Sequence, residues 1–254
     1  MTKKILFTFL ALFFASTFSF SQTADDCVTK FIEALGGKEK LAGLQTLKSK
    51  ASVEVAPNMK APITAYYVNN KSVRTEVELQ GMKMIQVIDG DSGWYVQPFG
   101  GKKDPERMDA EMVREGKDEV DILGPLYNYK EKGSTVELIG KEDMEGTETF
   151  KLKVTKKNAD VEYIYLDATS YLQLKQTSKH KFKDKEVESE TLFSNYKKVD
   201  GIMFAFTAES RQVGEAKGQE IIFDSIEVNP KIDNSIFRMP PPGPAPATPE
   251  KDKK

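Results

Sequence analysis

Alternation of apolar and polar residues dominates this chain. In TETFKLKVTK, from Thr147, residues Phe150, Leu152 and Val154 fall on one face and Lys151 and Lys153 on the other, the period-two pattern of a half-buried strand. Similar segments succeed one another from Ala51 to Gln97: ASVEVA, ITAYYVN, SVRTEVEL, MKMIQVIDG and GWYVQ. Asn69-Asn70 and Gln80-Gly81 are tight-turn residues between them, and strands of this length with short turns describe an antiparallel meander, not alternating strands and helices. Strand patterning resumes at Thr135 and runs to Asn229, for a total of about ten or eleven strands.

Two segments break the strand period. Val28, Phe31, Ile32 and Leu35 have the spacing of a helix face, with Asp25 and Asp26 at its start and Gly36-Gly37 at its end. Between Pro98 and Gly133 lies an insert of helical pieces. Asp104 can cap its first helix and Pro105 fits the first turn; Met108 and Met112 stand one turn apart, and Val120, Leu123 and Tyr127 form a second piece interrupted by Gly124-Pro125.

Not every strand is one-sided. In IMFAFTAES, Ile202, Phe204, Phe206 and Ala208 share one face, while Met203, Ala205 and Thr207 on the other carry little polarity. Met82, Met84, Ile85, Val87 and Ile88 repeat this two-sided character. A second apolar face needs its own cover, and the N-terminal helix and the methionine-bearing insert are available. Two outcomes remain open: an ordinary filled core, or a gap between sheet and helices that forms an apolar cavity. In the second, the candidate lining residues are Met82, Met84, Met108, Met112, Met203, Phe204 and Phe206, methionine being tolerant of irregular apolar partners. Gly100-Gly101 and Gly124 would be hinges. Alternation assigns Met203 and Phe204 to opposite faces without saying which faces the cavity.

The ends and the composition narrow the function. MTKKILFTFLALFFASTFSFSQ has a basic start, a short apolar stretch from Ile5 to Phe14 and a small-x-small site at Ser19-Phe20-Ser21, the organisation of a secretory signal peptide over residues 1–21. One domain is expected over 22–239, and the Pro-rich, charged segment 240–254 cannot enter a helix or sheet interior. The chain holds 37 basic and 39 acidic residues, and dropping Lys3 and Lys4 with the leader takes the net charge from −2 to −4. Charges of both signs are interspersed, so nothing points to nucleic acid. Cys27 is the sole cysteine, and TADDC lacks the small residues that precede a lipid-modified cysteine. His180, the sole histidine, lies among lysines. No HExxH, nucleophile elbow, P-loop or GxGxxG occurs, a cysteine or histidine metal site is excluded by counting, and Glu188 and Glu190 lie on a charged strand face. An enzyme is not expected, and no cofactor is implied.

Three stretches resemble a known family. KSVRTEVELQGMKMIQVIDGDSGWYVQPFG, with Arg74, Asp89-Gly90 and Trp94-Tyr95, resembles the strand-hairpin-aromatic strand region of the LolA-like periplasmic outer-membrane lipoprotein-sorting proteins. NYKKVDGIMFAFTAE is similar to their late strand pair, and IEVNPKIDNSIFRM, with Asn229, Pro230 and Phe237, to their closing segment. The resemblance covers roughly Asp25 to Met239. It implies a mainly β fold: a single antiparallel sheet curved into an unclosed half-barrel, with helices covering its concave face. It also implies a soluble periplasmic carrier, acting by transfer and not by chemistry, that shields acyl chains of lipoproteins and delivers them toward the outer membrane. Expected partners are acylated lipoprotein or lipid cargo, an inner-membrane donor complex and an outer-membrane receptor, with the carrier itself a monomer. Arg74 matches the family arginine that ties the helical lid shut, and Trp94 is placed with it. Relatives of the same fold carry other lipids such as glycolipids or fatty acids, or serve as β domains without cargo, so fold transfers more firmly than cargo.

Overall fold

A computed structural model describes residues 22–98, 104–182 and 185–241; the side chains of 180–187, including His180, lie outside that description, as do the proposed leader 1–21, Gly100-Gly101 and most of the Pro-rich segment. The first meander comprises β1 (Thr46–Ala56), β2 (Met59–Val68), β3 (Ser72–Leu79), β4 (Met82–Asp89), β5 (Ser92–Val96) and a two-residue β6 (Glu106–Arg107). The second comprises β7 (Thr135–Met144), β8 (Thr147–Thr155), β9 (Val161–Asp167), β10 (Gln173–Phe182), β11 (Lys185–Val199), β12 (Ile202–Gln212) and β13 (Gln219–Val228).

The two meanders join through β1 and β13 into one 13-stranded antiparallel sheet, ordered β6-β5-β4-β3-β2-β1-β13-β12-β11-β10-β9-β8-β7. The sheet is not closed: β6 and β7 are its two edges. The turns use residues that tolerate positive φ. Gln80-Gly81 has φ of 53° and 73°, and Asp200-Gly201 has 47° and 83°, as two-residue hairpin turns require.

Helix α1 spans Ala24–Leu35. Thr23 and Asp26 cap its start reciprocally, each side chain bonding the other's backbone N–H. Gly36 ends it at φ 131°, and a Cβ there would lie 2.5 Å from the Gly201 carbonyl oxygen, so the glycine lets the helix end sit on the β11–β12 turn. A short α2 (Lys38–Ala42) follows.

In the insert, residues 106–107 are extended as β6, so the helix begins later than Asp104-Pro105 predicts. Asp109 is the N-cap of α3 (Ala110–Gly116), its carboxylate accepting from the Met112 N–H at 2.8 Å. A 3₁₀ turn (Lys117–Val120) and a run of turns over 122–133 lead to β7.

Register identifies the two faces. Leu47, Tyr67, Val73 and Ile88 follow one another across β1 to β4, and this row lies on the helix-bearing inner face. There, α1 packs through Cys27, Val28 and Phe31 on Phe150, Leu152, Val154, Ile164 and Leu166 of β8 and β9. Leu41, Leu44, Leu123 and Tyr127 pack with Leu47 and Ile202 over the sheet's middle. Burying each such side chain stabilises by roughly 1.5–3 kcal/mol. The outer face has its own cluster: Val87, Trp94 and Phe237, flanked by Tyr66, Ile85, Ile232 and Ile236. Its cover is the C-terminal segment 230–239, containing a 3₁₀ turn (Asn234–Phe237), not a helix of the insert. Among the described residues no helix is long and apolar enough to cross a membrane.

Candidate functional site: a cavity under the insert

The two inner clusters meet through Ile32 and Leu35 of α1. Beside the middle one, and sharing Leu47, Tyr67, Phe204 and Ile226 with it, lies a cavity of about 1070 Å³, at the upper end of ordinary small-molecule sites. Its floor is apolar. Phe193, Phe204 and Phe223 come from the adjacent strands β11, β12 and β13, with Ala208 and Ile226 beside them and Leu47 and Tyr67 contributed by β1 and β2. All three phenylalanines are only half-buried. Large apolar side chains left partly exposed together in one concave place mark a candidate binding site.

The opposite wall is the insert, from Asp118 to Pro125, and here the cavity is charged. Lys156 bonds Asp118 at 2.7 Å and also pairs with the buried carboxylate of Glu162. Gln176 donates to the other Glu162 oxygen at 3.0 Å. Burial nevertheless pushes the Glu162 carboxyl up, against the pull of Lys156. Lys132 bonds Asp121 at 2.6 Å and the Gly124 carbonyl at 2.8 Å. Glu119 is different. It is exposed by area yet closely surrounded by protein, because it borders the cavity; that enclosure, with Asp118 beside it, raises its carboxyl. Enclosure, with the charge of Glu119 nearby, pushes the Tyr67 phenol up to about 12.

Of the residues singled out from sequence, Phe204 lines the cavity, as does its neighbour Ala205, whereas Met203 lies outside the lining, half-buried and paired across the ladder with Lys198. Phe206 is buried outside the lining, under the Lys197 amine at 4.5 Å from its ring centroid. The ladder is interrupted opposite it, where Asn195 takes φ 55°. Met82 and Met84 share the register face of Ile88 but lie outside the lining. Met108 packs on Gly93 and Met112 is exposed, so the insert's methionines do not form the wall.

Arg74 and Trp94 lie on the outer face. The Arg74 guanidinium donates to the Ile236 carbonyl at 2.7 Å and to Glu76 at 2.7 Å, and stacks 5.5 Å from the Trp94 ring. The Trp94 indole N–H donates to the Phe237 carbonyl at 2.8 Å. The hydrogen bond that the family resemblance implies toward the helical cover thus goes to the C-terminal segment on the other side of the sheet. Sequence reading missed Phe193, Phe223 and Glu119. The two phenylalanines sit in the strand segments TLFSN and EIIFDS, and comparing the apolar positions of adjacent strands would have found them; Glu119 has no distinguishing local signal.

No family model matches the chain, and none of the curated proteins is similar to it in sequence. Among solved structures, it is similar to a LolA superfamily protein from Nitrosomonas europaea, with TM-score 0.58 and 10% identity over 86% of this chain and 98% of that one. It is similar also to a DUF1329 family protein from Desulfovibrio piger, with TM-score 0.57 and 14% identity over the same shares. At these identities the likeness is one of fold: an open antiparallel sheet with helices on one face.

Proposed function

We propose that this chain is a soluble periplasmic carrier that shields the acyl chains of lipoproteins in transit and delivers them toward the outer membrane. The observation that supports it most is the floor of three half-buried phenylalanines on adjacent strands beneath the insert. Each CH₂ removed from water there gains roughly 0.8 kcal/mol, which is what an acyl chain needs to cross an aqueous gap. The action is transfer, not catalysis, and the carrier works as a monomer, taking cargo from an inner-membrane donor and yielding it to an outer-membrane receptor. The charged insert wall favours a second reading within the same mechanism, a lipid other than a lipoprotein, since an all-hydrocarbon cargo has no use for it. Mass spectrometry of lipids co-purifying with the native protein tests both. Acylated peptides support the first reading and free lipids the second. A protein that carries neither, and that binds no fluorescent fatty acid, is not a carrier.

A further inference from the structure

The charges bordering the cavity are not balanced pair by pair. Asp118 and Glu162 are bound by Lys156, and Asp121 by Lys132. Among the described residues Glu119 has no hydrogen bond or ion pair, and its titrating neighbours are acidic or phenolic, Asp118 and Tyr67. The third lysine of the lining, Lys157, runs its stem over Gly133, 3.5 Å from where a Cβ would stand. Asp121 adds a second unmet acceptor, its Oδ1 being buried without a partner. Glu119 lines the cavity beside another acid and, among the described residues, without a partner of its own, so a donor seated in the cavity can reach it. The donor the cavity admits is one attached to hydrocarbon, because the surface opposite is Phe204, Phe193 and Phe223.

We infer that the cavity selects amphiphiles whose polar end is a cationic, hydrogen-bond-donating amine, seated at Glu119 beside Tyr67, with the hydrocarbon along the phenylalanine floor. This rests on the carrier reading and adds the class of head group. A charged donor on a carboxylate forms a short, strong, directional bond. A fatty carboxylate in the same orientation places like charge against Glu119 and Asp118.

The test compares three amphiphiles of equal chain length, dodecylamine, dodecanoate and dodecyl maltoside, by displacement of a neutral naphthylamine probe below their micellar concentrations near neutral pH. Dodecylamine is expected to bind about tenfold tighter than dodecanoate, the effect of one charge-assisted contact. Glu119→Gln should abolish that preference, and Glu119→Lys should reverse it. Glu111→Gln, an exposed acid on α3 outside the lining, should leave the preference intact, which separates a local contact from attraction to the overall negative charge. Equal or tighter binding of dodecanoate, or an amine preference that persists in Glu119→Gln, overturns the inference. Maltoside bound without any amine preference overturns it alone, whereas a protein that binds none of the three loses the carrier reading as well.

Discussion

Replacing Arg74 by Met keeps the aliphatic stem and removes the guanidinium. In the wild type that group is 13% exposed, donates to the Ile236 carbonyl and to Glu76, and lies over Trp94. A charge-assisted hydrogen bond to a carbonyl contributes about 1.5–3 kcal/mol, and stacking on an indole about 0.5–1 kcal/mol. Glu76 keeps its bond from Lys83 at 2.7 Å, so the full penalty of an orphaned buried charge is not incurred. The expected loss is therefore about 2–3 kcal/mol, or about 4–12 °C in melting temperature for a domain of this size. Trp94 is the sole tryptophan, and its indole is fastened to the same C-terminal segment. Its fluorescence therefore reports on that segment directly, and its emission should shift toward the solvent-exposed value in the mutant before the sheet unfolds. Because the cavity is on the other face, displacement of a fluorescent fatty acid should be unchanged. An unaltered melting curve and Trp94 spectrum, or a drop in acyl-probe affinity with Trp94 undisturbed, would refute this placement and return Arg74 to the role of a lid tie.

Phe204→Ser should weaken acyl-probe binding at least about tenfold while Leu152→Ala, at a fully buried position, costs about 2–5 kcal/mol in urea melts and spares binding; the reverse pattern rules out the cavity as the binding site. Burial alone would raise the Glu76 carboxyl, yet hydrogen bonds from Lys83 and Arg74 outweigh it and hold it below its ordinary value of 4.5. A depressed carboxylate contributes stability above its unfolded pKa that is lost as pH falls through the folded one, so acid melts below that value should destabilise the wild type more than Arg74→Met. Cys27 is wholly buried on α1 and its thiol is pushed up by burial, so it should resist a thiol reagent in the native protein and react once on unfolding. N-terminal sequencing of the exported protein should begin near Gln22, and an acylated Cys27 there would contradict both the leader reading and the packing of α1.

Strands and the first helix were legible because their signals are local. Phe150, Leu152 and Val154 are all buried, as period two requires, and Thr23, Asp26 and Gly36 bound α1 by cap chemistry that needs no tertiary context. The extent of the sheet was less so. The pairing of β1 with β13 joins residues such as Leu47 and Val228, and no window of sequence encodes a contact of that separation. That pairing also fixes the lid. It leaves β6 and β7 on opposite edges, so the insert that links them has to traverse the sheet. Its path across the inner face makes it the roof of the cavity, whatever its helical content. The methionine spacing said nothing about this route, which is why Met108 and Met112 were poor guides and the polar stretch Asp118–Asp121 forms the wall.

The two-sided apolar segment MKMIQVID shows where reading by periodicity stops. Helices were the expected cover for its second face, since an amphipathic helix is the commonest way to bury one. The register instead divides the segment: Met84 and Ile88 face inward, while Ile85 and Val87 face outward toward Ile232, Ile236 and Phe237. The covering residues lie in NPKIDNSIFRM, which has neither the helical nor the strand period, because an irregular strap meets a sheet with whichever side chains its turns present. Its attachment depends on specific polar contacts that periodicity does not report: carbonyls of residues 236 and 237 accept from Arg74 and Trp94, and the Asp233 carboxylate closes the 3₁₀ turn on Ser235. The physical consequence is a division of labour between the faces. The outer one is closed by a segment fastened through a buried guanidinium and an indole. The inner one is left open enough for the phenylalanines of β11, β12 and β13 to remain half-exposed.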